Sequence, residues 1–145
     1  ADVSDKGMPA ALFMALTRSI IRASLGHAPS PAEAITRANR LICADASGGM
    51  FVTLFCALLD PKTGELTYVN AGHNPPMLVR ADGRIEELQV GGILLGAMSG
   101  MPYERTVELK PGDILATFTD GVTEAENPAG EMFGEEWLKN VLRNA

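Results

Sequence analysis

Two aspartates, far apart in the sequence, each lie where an apolar run meets a turn. Asp120 follows the apolar run 114–118, which predicts a buried strand, and Gly121 directly after it lets the backbone bend sharply. Asp2 stands near the first residue, beside Val3. A carboxylate at the end of a core strand is costly unless a partner offsets its charge, and a hard divalent metal ion is one such partner. The two acids therefore suggest a shared metal site.

A purely structural role stays open for these residues when only spacing is considered. An aspartate before a glycine, as at Asp120, is also typical of an ordinary turn, and Asp2 carries no more information by itself. His73 lies just before Pro75 and Pro76, a setting that favours a turn residue bonded to backbone over a metal ligand or an acid. The metal hypothesis therefore needs support from the surrounding motifs.

Length, charge and cysteine content exclude several classes of protein. The 145 residues suffice for one domain with a real core, and we expect a single domain over residues 1–145. The net charge of −6, from 12 basic and 18 acidic residues, argues against nucleic-acid binding, which would show a basic patch. No apolar run approaches the roughly 18 residues that span a bilayer, so we expect no membrane insertion of this domain. Cys43 and Cys56, both in apolar settings, predict buried free thiols and a cytoplasmic location.

Hydrophobic periodicity predicts two helices, about six strands and a final helix. The expected helices cover residues 9–25, 31–45 and a segment starting at about 134. The expected strands cover residues 51–59, 65–71, 77–80, 84–88, 103–109 and 113–118. Short turns between neighbouring strands favour antiparallel hairpins. This order predicts an α+β fold rather than alternating βαβ units.

The same periodicity predicts which side chains are buried. The first helix is expected to bury a face of apolar and small residues, namely Leu12, Ala15, Leu16, Ser19, Ile20 and Ala23. The second helix has Ser30 placed to cap its N-terminus, and its expected inner face comprises Ala34, Ile35, Ala38, Leu41 and Ile42. The nearly continuous apolar run 51–59 predicts a central strand with both faces covered.

Four motifs follow one another in order along the chain. They are ADVSDKGMPAA at residues 1–11, FVTLF at 51–55, NAGHNPP at 70–76 and TDGVTEA at 119–125, and an FG pair follows at 133–134. In type and order they resemble the motifs of the SpoIIE/RsbU-like phosphatases. These are metal-dependent Ser/Thr protein phosphatases of type 2C, the PPM family. The resemblance covers nearly the whole chain.

This resemblance implies a fold, a metal site and a class of substrate. The implied fold is an αββα sandwich of two antiparallel sheets flanked by helices. The implied site holds two Mn²⁺ or Mg²⁺ ions, with Asp2 as the bridging aspartate, the Val3 carbonyl as a backbone ligand and Asp120 as a carboxylate on the other ion. Asp2 and Asp120 are thereby the candidate catalytic residues. The implied substrate is a phosphoserine or phosphothreonine protein, such as an anti-anti-sigma factor of the STAS fold.

The chain also departs from the family pattern. Asp5 stands where the family usually has glycine, and aspartate tolerates a glycine-type backbone angle only moderately. The family carries further acidic ligands on strands that precede residue 1 and follow residue 145. We therefore expect the chain to be truncated at both ends, to hold only part of the metal shell and to be weakly active or inactive alone. Sheet edges left open in this way also predict a homodimer or a swapped assembly.

The function that follows from these features is dephosphorylation of a signalling protein. Two metal ions about 3.5–4 Å apart can generate a hydroxide nucleophile and neutralise the phosphate oxygens. Two alternatives stay open. One is a non-catalytic interaction module with the phosphatase fold, and the other is a phosphohydrolase that acts on small molecules.

Overall fold

The computed structural model describes residues 1–45, 49–89, 91–100 and 102–144, and contains two antiparallel sheets and four helices. In chain order the elements are β1 (Asp2–Val3), α1 (Met8–Leu25), α2 (Pro31–Asp45), β2 (Val52–Leu59), β3 (Glu65–Ala71), β4 (Met77–Val79), β5 (Ile85–Glu87), β6 (Glu104–Glu108), β7 (Ile114–Ala116), α3 (Asp120–Thr123) and α4 (Gly134–Arg143). This composition confirms the predicted α+β class.

The elements belong to two compact units. The first comprises Ala1–His73 and Val90–Glu108, and the second comprises Asn74–Gln89 and Leu109–Ala145. The expectation that residues 1–145 are one domain stays a prediction. None of the helices in the described residues has the length and apolar character that a bilayer crossing requires.

The first unit is a four-stranded antiparallel sheet with two helices packed on it. The strand order is β1-β2-β3-β6, so β2 and β3 are the internal strands. The helices α1 and α2 contact each other, and α2 also contacts β2 and β3. The core between helices and sheet is apolar and includes Phe13, Ile35, Ile42, Val52, Leu54 and Leu95.

The buried face of α1 differs from the face that periodicity predicted. The helix buries Ala10, Phe13, Thr17, Ile21 and Ser24. Of the expected face, Leu12 and Leu16 are exposed, and Ile20 is half-buried. Both faces of α1 carry apolar and small residues, so a 3.6-residue repeat fits either of them. Packing of the bulky Phe13 and Ile21 against α2 and the sheet selects the face that is buried.

The helix α2 agrees more closely with its predicted pattern. Ser30 accepts a hydrogen bond from the Glu33 backbone N–H at 3.3 Å, which confirms it as the N-terminal cap. The expected inner face is buried except for Leu41, which is half exposed. Asn39 is buried instead, where its side chain accepts from the Gly96 N–H at 2.9 Å and donates to the Met98 carbonyl at 2.7 Å. A polar residue on this face is stable because both its donor and its acceptor are satisfied.

Burial of β2 is confined to one face of its first half. Val52 and Leu54 are buried, at 0 % and 8 % exposure, whereas Leu58 and Leu59 at the other end are 63 % and 47 % exposed. The strand is internal, as predicted, but its last three residues are exposed. The expectation that both faces are covered over 51–59 is therefore wrong, because Thr53 and Phe55 on the other face are only half-buried and the end of the strand is exposed.

The second unit is a three-stranded antiparallel sheet of order β5-β4-β7, with α3 and α4. Arg80, next to β4, donates hydrogen bonds to Glu86 at 3.0 Å and to Asp113 at 2.9 Å, and so links the ends of the three strands. Lys139 on α4 forms an ion pair with Glu87 on β5 at 3.1 Å. The predicted last strand is shorter than expected, because β7 ends at Ala116 rather than at residue 118.

Cys43 and Cys56 both lie in described parts of the chain, and both are free thiols. Each is half-buried, and burial raises the pKa of the Cys56 thiol. The thiol of Cys43 lies 3.4 Å from the Asn39 side-chain oxygen. The predicted free thiols are confirmed, although neither is fully buried.

Replacing Leu54 with alanine should lower the free energy of unfolding by about 2–5 kcal/mol, because it leaves a cavity in the core. The matched control is Leu58→Ala on the same strand, where an exposed side chain should cost no more than about 0.5 kcal/mol. Denaturant unfolding of the three proteins measures both values. Equal losses for the two variants would show that the end of β2 is covered as well as its start.

Asp113 predicts an acid-sensitive contribution to stability in the second unit. The Lys110 backbone N–H, the Arg80 side chain and the Ala81 backbone N–H all donate to its carboxylate and hold its pKa below the ordinary value. A depressed carboxyl pKa stabilises the fold above the unfolded value of about 3.9 and ceases to do so as the pH falls through the folded value. Asp113→Asn should therefore lower the free energy of unfolding at pH 7. On acidification, the variant should lose less stability than the unchanged protein does. The exposed Glu135→Gln serves as control, and parallel pH curves for Asp113→Asn and the unchanged protein would contradict the assignment.

Candidate metal centre

The short strand β1 positions Asp2 and Val3. Asp2 pairs with Thr53 and Val3 pairs with Val52 of β2. Just beyond the strand, the Ser4 N–H donates to the Phe51 carbonyl at 2.9 Å, and the Phe51 N–H donates to the Ser4 hydroxyl at 2.8 Å. These bonds hold a strand of two residues against an internal strand of the sheet, and the Asp2 side chain remains exposed.

The backbone carbonyl of Val3 points away from β2. Its neighbour Val52 donates its N–H to the Leu95 carbonyl at 2.8 Å and accepts from the Leu95 N–H at 3.0 Å, so neither group is directed to Val3. In an antiparallel ladder, opposite residues alternate between bonded and non-bonded pairs, and Val3 with Val52 is a non-bonded pair. The carbonyl oxygen is therefore directed outward from the ladder, close in sequence to the Asp2 carboxylate.

Asp120 lies in the second unit, at the first position of the four-residue helix α3. Its backbone carbonyl accepts from the Glu124 N–H at 2.7 Å and from the Thr123 hydroxyl at 3.2 Å, and the residue is half-buried. The sequence predicted a turn directly after a strand. The structure has three residues between β7 and α3 instead, and the bend at Gly121 is a helical turn.

These donors suit a hard metal ion, but they form only part of a coordination shell. Asp2 and Val3 are neighbours on β1, whereas Asp120 belongs to the other unit. Carboxylate and carbonyl oxygens are the ligands that Mg²⁺ and Mn²⁺ prefer. Within the described residues, no group of three or more His, Cys, Asp or Glu side chains could hold a metal ion. The assignment of Asp2, Val3 and Asp120 as ligands therefore stays a prediction.

Asp5 adopts a backbone angle that favours glycine. Its φ is 125°, and among the described residues no other non-glycine residue has a positive φ. Its carboxylate accepts a hydrogen bond from the Lys6 N–H at 2.8 Å. Gly7, the last residue before α1, has a φ of 84°. A non-glycine residue held in such a region costs of the order of 1–3 kcal/mol. The departure noted in the sequence thus lies on a strained connection between β1 and α1.

His73 has a more specific environment than its sequence context indicated. Its backbone N–H donates to the Asn70 side-chain oxygen at 2.8 Å, and its carbonyl accepts from the Asn70 amide at 3.0 Å. The sequence predicted a turn residue bonded to backbone, whereas these two bonds join the His73 backbone to a side chain. The contact of its Nδ1 with the Thr53 hydroxyl at 2.9 Å was not predicted. The sequence did not identify Thr53 or Asn70 as a site residue. The only feature of the sequence that could have indicated them is that each lies within one of the four motifs.

Comparison with known proteins gives a match over the whole chain. Residues 1–145 match the family model described as Stage II sporulation protein E (SpoIIE). The chain is 31% identical over 169 residues to Protein IcfG of Synechocystis, which covers 97% of this chain and 27% of that protein. It is 30% identical over 132 residues to the phosphoserine phosphatase RsbU of Bacillus subtilis, which covers 90% of this chain and 39% of that protein. The chain thus spans well under half the length of these curated relatives.

A solved structure has the same fold. It is that of the PP2C phosphatase domain and a fragment of the regulatory domain of the cell fate determinant SpoIIE from Bacillus subtilis. The two superpose with a TM-score of 0.79, over 98% of this chain and 42% of that one, at 18% identity. The predicted class of fold is confirmed by this similarity.

Replacing Asp5 with glycine should raise the free energy of unfolding by about 0.5–2 kcal/mol. The strain energy that is relieved exceeds the entropic cost of the extra flexibility that glycine gives the unfolded chain. The neighbouring Lys6→Gly change is the control and should destabilise by roughly 0.5–1 kcal/mol, since no strain is relieved there. Denaturant unfolding distinguishes the two. If Asp5→Gly loses as much stability as Lys6→Gly, the backbone at Asp5 is not strained.

Proposed function

Because the chain belongs to the SpoIIE family, we propose that it is the catalytic part of a metal-dependent protein phosphatase that hydrolyses phosphoserine or phosphothreonine. The observation that carries the proposal is the pair of oxygen donors on β1, where an exposed Asp2 carboxylate adjoins an outward-directed Val3 carbonyl. The 30% identity to a phosphoserine phosphatase supports the same reaction. Mn²⁺ and Mg²⁺ are the proposed ions, because the donors are hard oxygens.

Each proposed site residue has a defined task. A phosphomonoester carries nearly two negative charges at neutral pH, which repel a hydroxide nucleophile. Ions of this type supply an activated water and charge neutralisation at the phosphate oxygens when they are bound. Asp2 would hold both ions, the Val3 carbonyl would be a backbone ligand to one of them, and Asp120 would supply a carboxylate to the other. The rigid pairing of β1 with β2 would fix the first two donors before substrate arrives.

The proposed substrate is a phosphorylated signalling protein. The family resemblance points to anti-anti-sigma factors of the STAS fold, and we propose a partner of this kind in the cytoplasm. The net charge of −6 does not argue against a phosphoprotein substrate, because bound ions would reverse the local field that the phosphate experiences. Binding of this substrate is thereby linked to occupancy of the metal site.

In the intact protein, Asp2→Asn and Asp120→Asn should each lower kcat towards a phosphorylated protein substrate by about 10²-fold or more, because each removes a carboxylate that would hold an ion and so weakens charge stabilisation of the transition state. Glu124→Gln is the matched control: it removes one exposed negative charge next to α3 and should leave turnover nearly unchanged. Circular dichroism verifies that the fold is retained in all three variants. Near-normal turnover in either aspartate variant would exclude that residue from the site.

A substrate panel separates the proposal from its two alternatives. In the intact protein, the proposed phosphatase should turn over phosphoserine and phosphothreonine proteins in preference to nucleotides in the presence of Mn²⁺. A preference for nucleotides or other small phosphoesters would indicate a small-molecule phosphohydrolase. Absence of Mn²⁺-dependent turnover on every substrate would indicate an interaction module with the phosphatase fold.

A further inference from the structure

The Thr53 side chain links the strand that carries Asp2 to the turn that carries His73. Its hydroxyl lies 2.9 Å from Nδ1 of His73 and 3.4 Å from the backbone carbonyl oxygen of Asp2. Thr53 is also the residue that pairs with Asp2 across the β1–β2 ladder. A single side chain therefore contacts both the backbone of a candidate ligand and a histidine 20 residues away in sequence.

The position of His73 is itself determined by a buried asparagine. Asn70 is 2 % exposed, and its amide group forms two hydrogen bonds to the His73 backbone, one to the N–H and one to the carbonyl. Gly72 between them adopts a φ of 73°, which allows the tight turn that these bonds close. His73 is 8 % exposed. Its imidazole is thus presented to Thr53 by a rigid turn at the end of β3.

A continuous link from His73 to Asp2 requires one direction for both hydrogen bonds. A backbone carbonyl only accepts, so in such a link the Thr53 hydroxyl donates its one proton to Asp2, across a distance of 3.4 Å. The same hydroxyl oxygen must then accept from His73, which requires a proton on Nδ1. The chain of donors runs from His73 through Thr53 to Asp2 and ends at the carbonyl. This direction identifies one histidine tautomer, which an experiment can observe.

The strand β1 depends on such additional contacts because it is very short. It contains two residues, and the Val3 backbone groups are not directed to β2. The Asp2 backbone is therefore held on one side by the ladder pair with Thr53 and by the Thr53 hydroxyl. Together with the hydrogen bonds between Ser4 and Phe51, this contact holds β1 against β2.

We propose that Thr53 and His73 are positioning residues, which hold Asp2 and Val3 in the orientation that the metal site requires. The proposal rests on the proposed function, since it assumes that Asp2 and Val3 bind an ion. Partners that hydrogen-bond to metal-binding groups typically change metal affinity by 10–100-fold when they are removed. The contact to the Asp2 carbonyl is long for a hydrogen bond between two oxygens, so we expect the lower end of that range.

The test uses two changes at Thr53 in the intact protein. Thr53→Val keeps the shape of the side chain and removes the hydroxyl, whereas Thr53→Ser keeps the hydroxyl. Calorimetric titration with Mn²⁺ should show about 10-fold weaker binding for Thr53→Val and near-normal binding for Thr53→Ser. Thr67→Val is the matched control, because it removes a threonine hydroxyl from the same sheet. Within the part of the chain that the structure describes, that hydroxyl contacts the Thr106 hydroxyl, at 3.2 Å.

A second measurement does not require metal. In ¹⁵N-resolved NMR spectra of the metal-free protein, His73 should carry a proton on Nδ1, and that proton should become labile or move to Nε2 in Thr53→Val. The spectra also report whether the variant is folded, and Thr53→Ser should restore the wild-type histidine signals.

The outcomes separate the proposal from the function on which it rests. Absence of Mn²⁺ binding by the unchanged protein overturns the proposed function, and with it the positioning role. Mn²⁺ binding that is equally strong in the unchanged protein and in folded Thr53→Val overturns the positioning role alone. Equal weakening in Thr53→Ser and Thr53→Val, or a His73 protonated only on Nε2, also overturns it.

Discussion

The pairing of β1 with β2 is the contact on which the candidate site depends. Two residues on an edge strand carry an exposed carboxylate and an outward carbonyl, and an internal strand determines their direction. β2 is itself anchored where it meets β1, because Val52 is fully buried and exchanges two backbone hydrogen bonds with Leu95. The donors therefore derive their geometry from the core of the first unit rather than from a loop. Sites supported by regular elements in this way are held more accurately than sites on loops alone.

Two buried asparagines fix the irregular segments on either side of this core. Asn39 on α2 satisfies backbone groups of Gly96 and Met98, and Asn70 on β3 satisfies both backbone groups of His73. A buried amide is stable only when its donors and acceptors are paired, so each asparagine specifies one conformation of the segment it contacts. The first segment supplies Leu95 to β2, and the second supplies His73 to Thr53.

Conformational strain is concentrated beside the candidate site. Asp5 has a φ of 125° directly after β1, and the hydrogen bonds of Ser4 with Phe51 hold the chain on one side of it. On the other side the backbone enters α1, whose Phe13 and Ile21 are packed in the core. Strained residues of this kind persist when the surrounding structure determines them, and they cluster at functional sites. The strain at Asp5 is therefore expected, because this connection joins β1, which carries Asp2, to α1, and both elements are held by their own contacts.

Local patterns in the sequence determined the order and type of nearly all elements, the cap of α2 at Ser30 and the α+β class. Each of these depends on residues close together in the chain, and the motifs sufficed to identify the family and its candidate ligands Asp2, Val3 and Asp120. Tertiary structure alone decided which face of α1 is buried, because Leu12 and Phe13 lie on faces of similar hydrophobicity and only packing against α2 and the sheet selects between them. It also decided that the end of β2 is exposed and that Thr53 contacts both Asp2 and His73. Those contacts join residues 20 to 51 positions apart, and no local pattern of hydrophobicity or propensity encodes which distant side chains a sheet register brings together.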